Sequence, residues 1–350
     1  MGAAPLATSA LLRSIQDRSE RYTTDRARLA APTDRAGDLA ARAVFFTIAD
    51  AMKVAVPFRE LVYRDALPAA RPLRVIDLGA GCGAMSLGLL ASTAIPLAIT
   101  AIDRDAAALG IAATSVRDLA NRRKTATTIV TRIDEATSAR LADADLIVMG
   151  TLLNELSEGA RLAIVERALG SIAPDGAVIV IEPALRETSR SLHTVRDQLI
   201  ARGAHVFAPC TRQVAPCPAL ADPTDWCHED RPVKLPPRTA ELARLTHLRD
   251  GGLKFSYLVV RRVPRTLADE PDAWRVVKEP WAQKGKVEVL GCSNVGRVPI
   301  RLMRRNRTDA NRDLERAERG EVIVVDASAT AERVEIEAGT TVVRRDPAKG

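Results

Sequence analysis

Aromatic residues are scarce, at 3% of 350, so the 47% hydrophobic share is carried mostly by Ala, Val, Leu and Ile. No apolar run approaches the roughly 20 residues that cross a bilayer, which excludes a helical membrane protein and points to a soluble globular one. A secretory leader is not expected either: Arg13, Asp17, Arg18 and Glu20 interrupt "SALLRSIQDRSER" before an apolar stretch develops. A mitochondrial presequence would avoid those acids, so the cytoplasm is the expected compartment, with the mitochondrial matrix second. The tight C-x2-C knuckles of zinc ribbons are missing, and five cysteines in a reducing compartment do not make a disulfide framework. No internal repeat is visible.

What is present divides into three. Residues 1–65 read as helical. "TDRAGDLAARAVFFTIADAMKVAVPFRELV", opened by Thr33 or Asp34 as N-cap, has apolar residues at helical spacing and suits a lid or packing layer. Residues 66–264 alternate short β-branched runs with alanine-rich stretches. The candidate strands are "LRVIDLG", "LAITAID", "TTIVTRI", "ADLIVMG", "AVIVIEP", "AHVFAP" and "FSYLVVRR". That alternation predicts an α/β, mostly parallel, doubly wound sheet of seven strands. Residues 265–350 turn strand-rich and basic ("GKVEVLGC", "RVPIRLMRR", "GEVIVVDAS"), as a small barrel or open sheet, with disorder expected in the last few residues. The net charge of +7 gathers late, in "VVRRVPR" and "RVPIRLMRRNR". Clustered arginine suits phosphate through bidentate hydrogen bonds and counterion release, and Arg301, Arg304, Arg305 and Arg307 are the candidates for RNA.

"VIDLGAGCGAMSLGLL" runs a strand to Asp77 and places Gly79, Gly81 and Gly83 at alternate positions before a helix near Ala84. Such glycines let a backbone approach a ligand closely. Later stations follow strand by strand: Asp103, placed to accept from ribose hydroxyls; Asp134, placed for an adenine amino group; and Asn154 with Glu155 after the fourth strand. This series resembles the class I S-adenosylmethionine-dependent methyltransferases, a Rossmann-like fold, and the resemblance implies that cofactor. Cys82, inside the loop, reads as a small filler. Catalytic machinery is thinner. The station after the fourth strand reads "GTLLNEL" where base amino-methyltransferases carry an Asn- or Asp-Pro-Pro-aromatic motif. The Pro-Cys dipeptides lie away from a strand end, and no general base stands out.

The segment "FAPCTRQVAPCPALADPTDWCHED", residues 207–230, carries Cys210, Cys217 and Cys227 at C-x6-C-x9-C, and Cys292 follows in "VEVLGCSNVG". Open loops of this kind are more consistent with an iron-sulfur cluster than with a zinc knuckle. Its four prolines would stiffen the wrap, Trp226 could shield a cluster, and His228 could ligate it, hydrogen-bond to its sulfur or pack on the surface. Zinc in the same four sites, or unrelated buried thiols, are the other readings. Together with "KFSYLVVRR" and "WRVVKEPWAQKGKVEVLGC", the segment resembles the methyltransferase-like family of mitochondrial small-subunit ribosome assembly factors and their bacterial relatives, over about Phe45 to Arg305. It departs from that pattern in "PCTRQVAPCP", which lacks a histidine after the first Cys and has a longer loop.

The resemblance implies a [4Fe-4S] cluster on Cys210, Cys217, Cys227 and Cys292, bound S-adenosylmethionine, and docking on small-subunit ribosomal RNA. The expectation is an assembly protein, monomeric off the ribosome, with possible methyltransferase activity. An active rRNA methyltransferase is the first alternative. A small-molecule or protein methyltransferase, which would need a pocket roofed by the N-terminal helices, is the second.

Overall fold

The computed structural model describes residues 8–23, 34–68, 70–249, 252–327 and 332–345. Thr33 and the expected disordered tail fall outside them. Asp34 is the cap: its Oδ1 accepts from Gly37 N at 2.9 Å, satisfying an otherwise orphaned donor. The helical segment is α1 (Thr8–Thr23), α2 (Arg35–Ala41), a π-helical turn Arg42–Phe46, α3 (Thr47–Ala51) and α4 (Ala55–Tyr63).

The alternating text then folds as β1 (Leu73–Leu78), α5 (Ala84–Ser92), β2 (Leu97–Asp103), α6 (Ala106–Arg123), β3 (Thr128–Ile133), β4 (Ala144–Gly150), α7 (Glu158–Ser171), β5 (Ile172–Pro183), α8 (Arg186–Ala201) and β6 (His205–Ala208). β7 (Glu229–Arg231), α9 (Pro237–Thr246) and β8 (Leu253–Arg261) complete the unit. Strands β1 to β5 are parallel in the order β3-β2-β1-β4-β5, and β8 lies antiparallel to β5. The expected seven strands are all there, and the sheet has an eighth. β6 and β7 pair with successive parts of one edge of β8, so the cysteine segment is a long excursion within a single edge position.

β4 is buried from Ala144 through Met149, as befits a central strand covered on both faces. One face packs under α4, α5 and α6 through Phe58, Leu89 and Val116, the other under α7 and α8. Along α8, Leu192, Val195 and Leu199 recur at helical spacing and are each at most 3% exposed, worth about 1.5–3 kcal/mol apiece.

The C-terminal strands are β9 (Ala273–Val276), β10 (Trp281–Gln283), β11 (Lys286–Cys292) and β12 (Arg297–Met303). After a short α10 (Asp313–Arg316) come β13 (Val322–Val325), β14 (Val334–Ile336) and β15 (Val342–Arg345). They form an open sheet, β14-β12-β11-β9-β13-β15, with β10 on β11. Trp274, Ile300, Leu314 and Ile336 fill its own core.

A buried polar knot joins the two sheets. Arg275 of β9 donates to Glu60 Oε1 on α4 at 2.7 Å, to Glu229 Oε1 on β7 at 2.8 Å and to Tyr257 OH on β8 at 2.8 Å, while Tyr257 donates to Glu60 Oε2 at 2.7 Å. Burial raises the Glu60 carboxyl even with Arg275 opposing, whereas at Glu229 the arginines prevail and the carboxyl stays below its ordinary range.

Candidate functional site

A cavity of about 950 Å³ opens at the carboxyl ends of β1, β2 and β4. The strand order reverses there between β1 and β4, the place where open α/β sheets bind ligands. Gly79 and Gly81, at φ +74° and +51°, give the cavity a backbone wall. Gly83, at φ +87°, is the left-handed N-cap of α5, and a Cβ there would meet that of Ala112 at 2.9 Å; its glycine serves helix packing.

Asp103 lines the cavity. Its Oδ2 accepts from Gly81 N at 2.8 Å and its Oδ1 from Asp105 N at 2.9 Å, leaving each oxygen a lone pair for a ligand hydroxyl. Asp77 lies beneath the loop, 1% exposed and off the cavity wall. Its Oδ2 accepts from Ser86 N at 3.0 Å and Oγ at 2.6 Å, tying the strand to the first turn of α5, and burial pushes its carboxyl up to about 6. Asp134 is also off the wall: it turns back on itself, accepting from Glu135 N at 2.9 Å and pairing with Arg132. Its neighbours Glu135 to Thr137 face the cavity instead. Asn154 is buried with its side-chain amide unpartnered, while Glu155 reaches the cavity. The turn that carries both is held by Glu182, which accepts from Leu153 N at 2.8 Å and Asn154 N at 3.3 Å and is raised by burial to about 7.

Sequence reasoning missed the opposite wall. The π-helical turn puts Arg42 over the glycine loop, where it donates to Asp105 Oδ2 at 2.6 Å. Lys53, 2% exposed, pairs with Asp50 at 2.8 Å, and burial lowers its amine to about 8. No motif marks either residue, because each is placed by how the N-terminal helices pack. Those helices therefore form part of the cavity wall, in keeping with a lid or packing layer.

A second cavity, of about 40 Å³, lies where the two sheets meet, and Cys210, Cys217, Cys227 and Cys292 all line it. None is in a disulfide. Burial and the neighbouring thiols push Cys217 up to about 12, burial pushes Cys227 up to about 11, and Cys292 is raised as well. Among the described residues no three His, Cys, Asp or Glu side chains stand close enough to hold a single metal ion. Cys82 lies apart, buried in the glycine loop.

The segment around the thiols has little secondary structure, and α8 supplies its hydrogen bonds. Arg190 donates to the carbonyls of Ala219, Asp222 and Asp225, and the buried Arg196 donates to Arg212 O at 2.6 Å. Thr211 Oγ1 then donates to Cys292 O at 3.1 Å, and Gln213 N to Asn294 Oδ1 at 3.1 Å, joining the segment to the β11–β12 turn. Trp226 stacks on His228 at 5.7 Å without lining the thiol cavity, which His228 does line with its Nδ1 unpartnered.

Of the late arginines, Arg301 is engaged by Glu288 at 3.0 Å and Glu335 at 3.4 Å, and Arg307 by Glu315 at 2.9 Å. Arg304 and Arg305 are exposed, and neither pairs with a described carboxylate.

Strand order, the antiparallel strand beside β5 and a glycine loop at the switch point define a class I methyltransferase fold. No curated protein matches the chain. The model of the family described as "Mitochondrial small ribosomal subunit Rsm22" matches residues 46–324, and the chain belongs to that family. Similar solved structures include the magnesium protoporphyrin IX methyltransferase ChlM of Synechocystis PCC 6803, at 10% identity over 71% of this chain and 99% of that one, with a TM-score of 0.40. The mitomycin 7-O-methyltransferase MmcR has 14% identity over 73% and 68%, with a TM-score of 0.40. Among the described residues no helix is long and apolar enough to cross a membrane.

Proposed function

We propose that this protein binds S-adenosylmethionine in the glycine-loop cavity, carries a [4Fe-4S] cluster on Cys210, Cys217, Cys227 and Cys292, and binds small-subunit ribosomal RNA through its basic C-terminal module to assist subunit assembly. The observation that carries the reading is the meeting of four unpaired thiols, three from one excursion and one from the second sheet, on a chain of this family. The donors are the soft thiolates that such clusters take. When bound, the cluster would supply covalent ties between the excursion and β11. Arg190, Arg196 and Thr211 already hold the backbone for that role. For the cofactor, the support is a left-handed glycine wall beside an aspartate with spare lone pairs. Such a protein works where small subunits mature, in a bacterial cytoplasm or a mitochondrial matrix, and as a monomer when off the ribosome.

Anaerobic purification with iron and sulfide analysis tests the cluster. About four of each per chain is expected, lost in Cys227→Ser; zinc, or no metal, would overturn it. Co-sedimentation with immature small subunits tests the partner.

A second reading, an active methyltransferase for RNA or a small molecule, is favoured by one observation. The cavity continues past the glycine loop to Lys53, whose amine is lowered into the range a general base uses. Transfer of a labelled methyl group to subunits or their RNA, abolished in Lys53→Met with cofactor affinity retained, is the outcome this reading requires.

A further inference from the structure

The outer face of the second sheet belongs to neither cavity. Register places Trp281, Glu288, Arg301 and Glu335 in one row across β10, β11, β12 and β14, and Gln283, Lys286 and Met303 in the next. Residues of opposite parity, Val289, Ile300 and Val334, are buried in the core, so these rows point away from it.

A single exposed apolar side chain is ordinary. Trp281 differs from its two counterparts and in what surrounds it. Trp274 is 3% exposed and Trp226 hydrogen-bonds to Ala184 O at 3.1 Å, whereas Trp281 is 61% exposed at the free edge of β10. The turn after β10 carries exposed Lys284, and Arg304 N donates to Gly285 O in that turn at 2.9 Å, bringing the Arg304–Arg305 pair alongside. Of the two carboxylates in the tryptophan's own row, Glu288 is taken up by Lys286 and Arg301, and Glu335 by Arg301 and Arg333. The indole is open, exposed Glu279 precedes it by two residues, and the turn that follows β10 gathers Lys284, Arg304 and Arg305, none paired with a described carboxylate.

We infer that this face is a platform for single-stranded RNA: one unpaired base stacks on the Trp281 indole while adjoining phosphates meet Lys284, Arg304 and Arg305. The inference rests on the RNA-binding reading above and adds the form of RNA and the group that reads it. A duplex keeps its base faces stacked inside and has nothing to offer the indole. A splayed strand offers both a π-face and a charged backbone.

Full-length protein would be titrated with a short, unstructured, adenine-rich RNA and with a duplex of equal length, across a salt series. Trp281→Ala is expected to weaken single-strand binding about tenfold at every salt concentration, leaving the salt slope and duplex binding unchanged, with Trp281→Phe recovering most of the loss. Arg304→Gln with Arg305→Gln should instead flatten the slope by about 1.4. Wild-type affinity in Trp281→Ala, or equal losses on strand and duplex, would overturn the platform while leaving RNA binding intact. No RNA binding by the unaltered protein would overturn both readings together.

Discussion

The two cavities are built in opposite ways. The large one takes Gly79, Gly81 and Asp103 from successive loops of a single sheet, which topology alone brings to one edge, and the N-terminal helices add its opposite wall. The small one draws on an edge excursion and on a strand of another sheet, and Thr211, Gln213 and the Arg275 knot are among the contacts that hold the two together. A cavity at a switch point is inherited from the fold, whereas one at a seam depends on each contact across it. The first should therefore survive damage to the seam, and the second should not.

Arg275→Ala is the severest way to break that contrast. It strands Glu60 and Glu229 in a buried site and should cost about 3–5 kcal/mol in urea denaturation. On the proposed function, iron retention should fall first, before the remaining folded protein loses S-adenosylhomocysteine binding; simultaneous loss would show that the cavities are not independent. Asp103→Ala strikes only the large cavity. Removing charge-assisted hydrogen bonds worth about 1.5–3 kcal/mol should lower calorimetric affinity for S-adenosylhomocysteine roughly 10- to 100-fold with iron content unchanged.

Asp77 sharpens the picture through pH. Folding raises its pKa to about 6, so the folded chain holds more protons between the ordinary aspartate range and that value. The stability it contributes is complete below that window and lost as pH rises through about 6. Asp77→Asn keeps an acceptor for Ser86 without the charge, and should gain on wild type by on the order of 1–3 kcal/mol between pH 4 and pH 7 in paired urea titrations. The smallest effect is expected at the fifth thiol: Cys82→Ala should change stability by about 1 kcal/mol or less and leave iron content untouched.

The same contrast explains what could be read from the sequence. Strands β1 to β6 and β8 are legible because each is an apolar, β-branched run set between helix-forming stretches. β7, with the text Glu229-Asp230-Arg231, carries no strand signal at all; it is a strand because β8 offers it an edge. β10 owes its pairing to β11 in the same way. Within the wall of the large cavity, the glycines and Asp103 follow from motif position. Asp134 and Asn154 sit one residue from those that face the cavity, a distinction set by how each turn closes on itself rather than by residue type. Lys53, in the turn between α3 and α4, and Arg42, in the π-helical turn, are invisible because the N-terminal helical segment has no fixed register with the sheet until both have packed. The Glu60–Tyr257–Arg275–Glu229 knot joins residues up to 215 positions apart, and nothing local announces any of them.

Chain order gives the seam a temporal meaning. Cys210, Cys217 and Cys227 are synthesised together, but the strand that ends in Cys292 follows only after α9, β8, β9 and β10. A growing chain can thus complete its glycine-loop wall early and still hold an unfinished thiol site, open on the side where β11 will arrive. The four thiols come together only when the C-terminal sheet has been made and has docked.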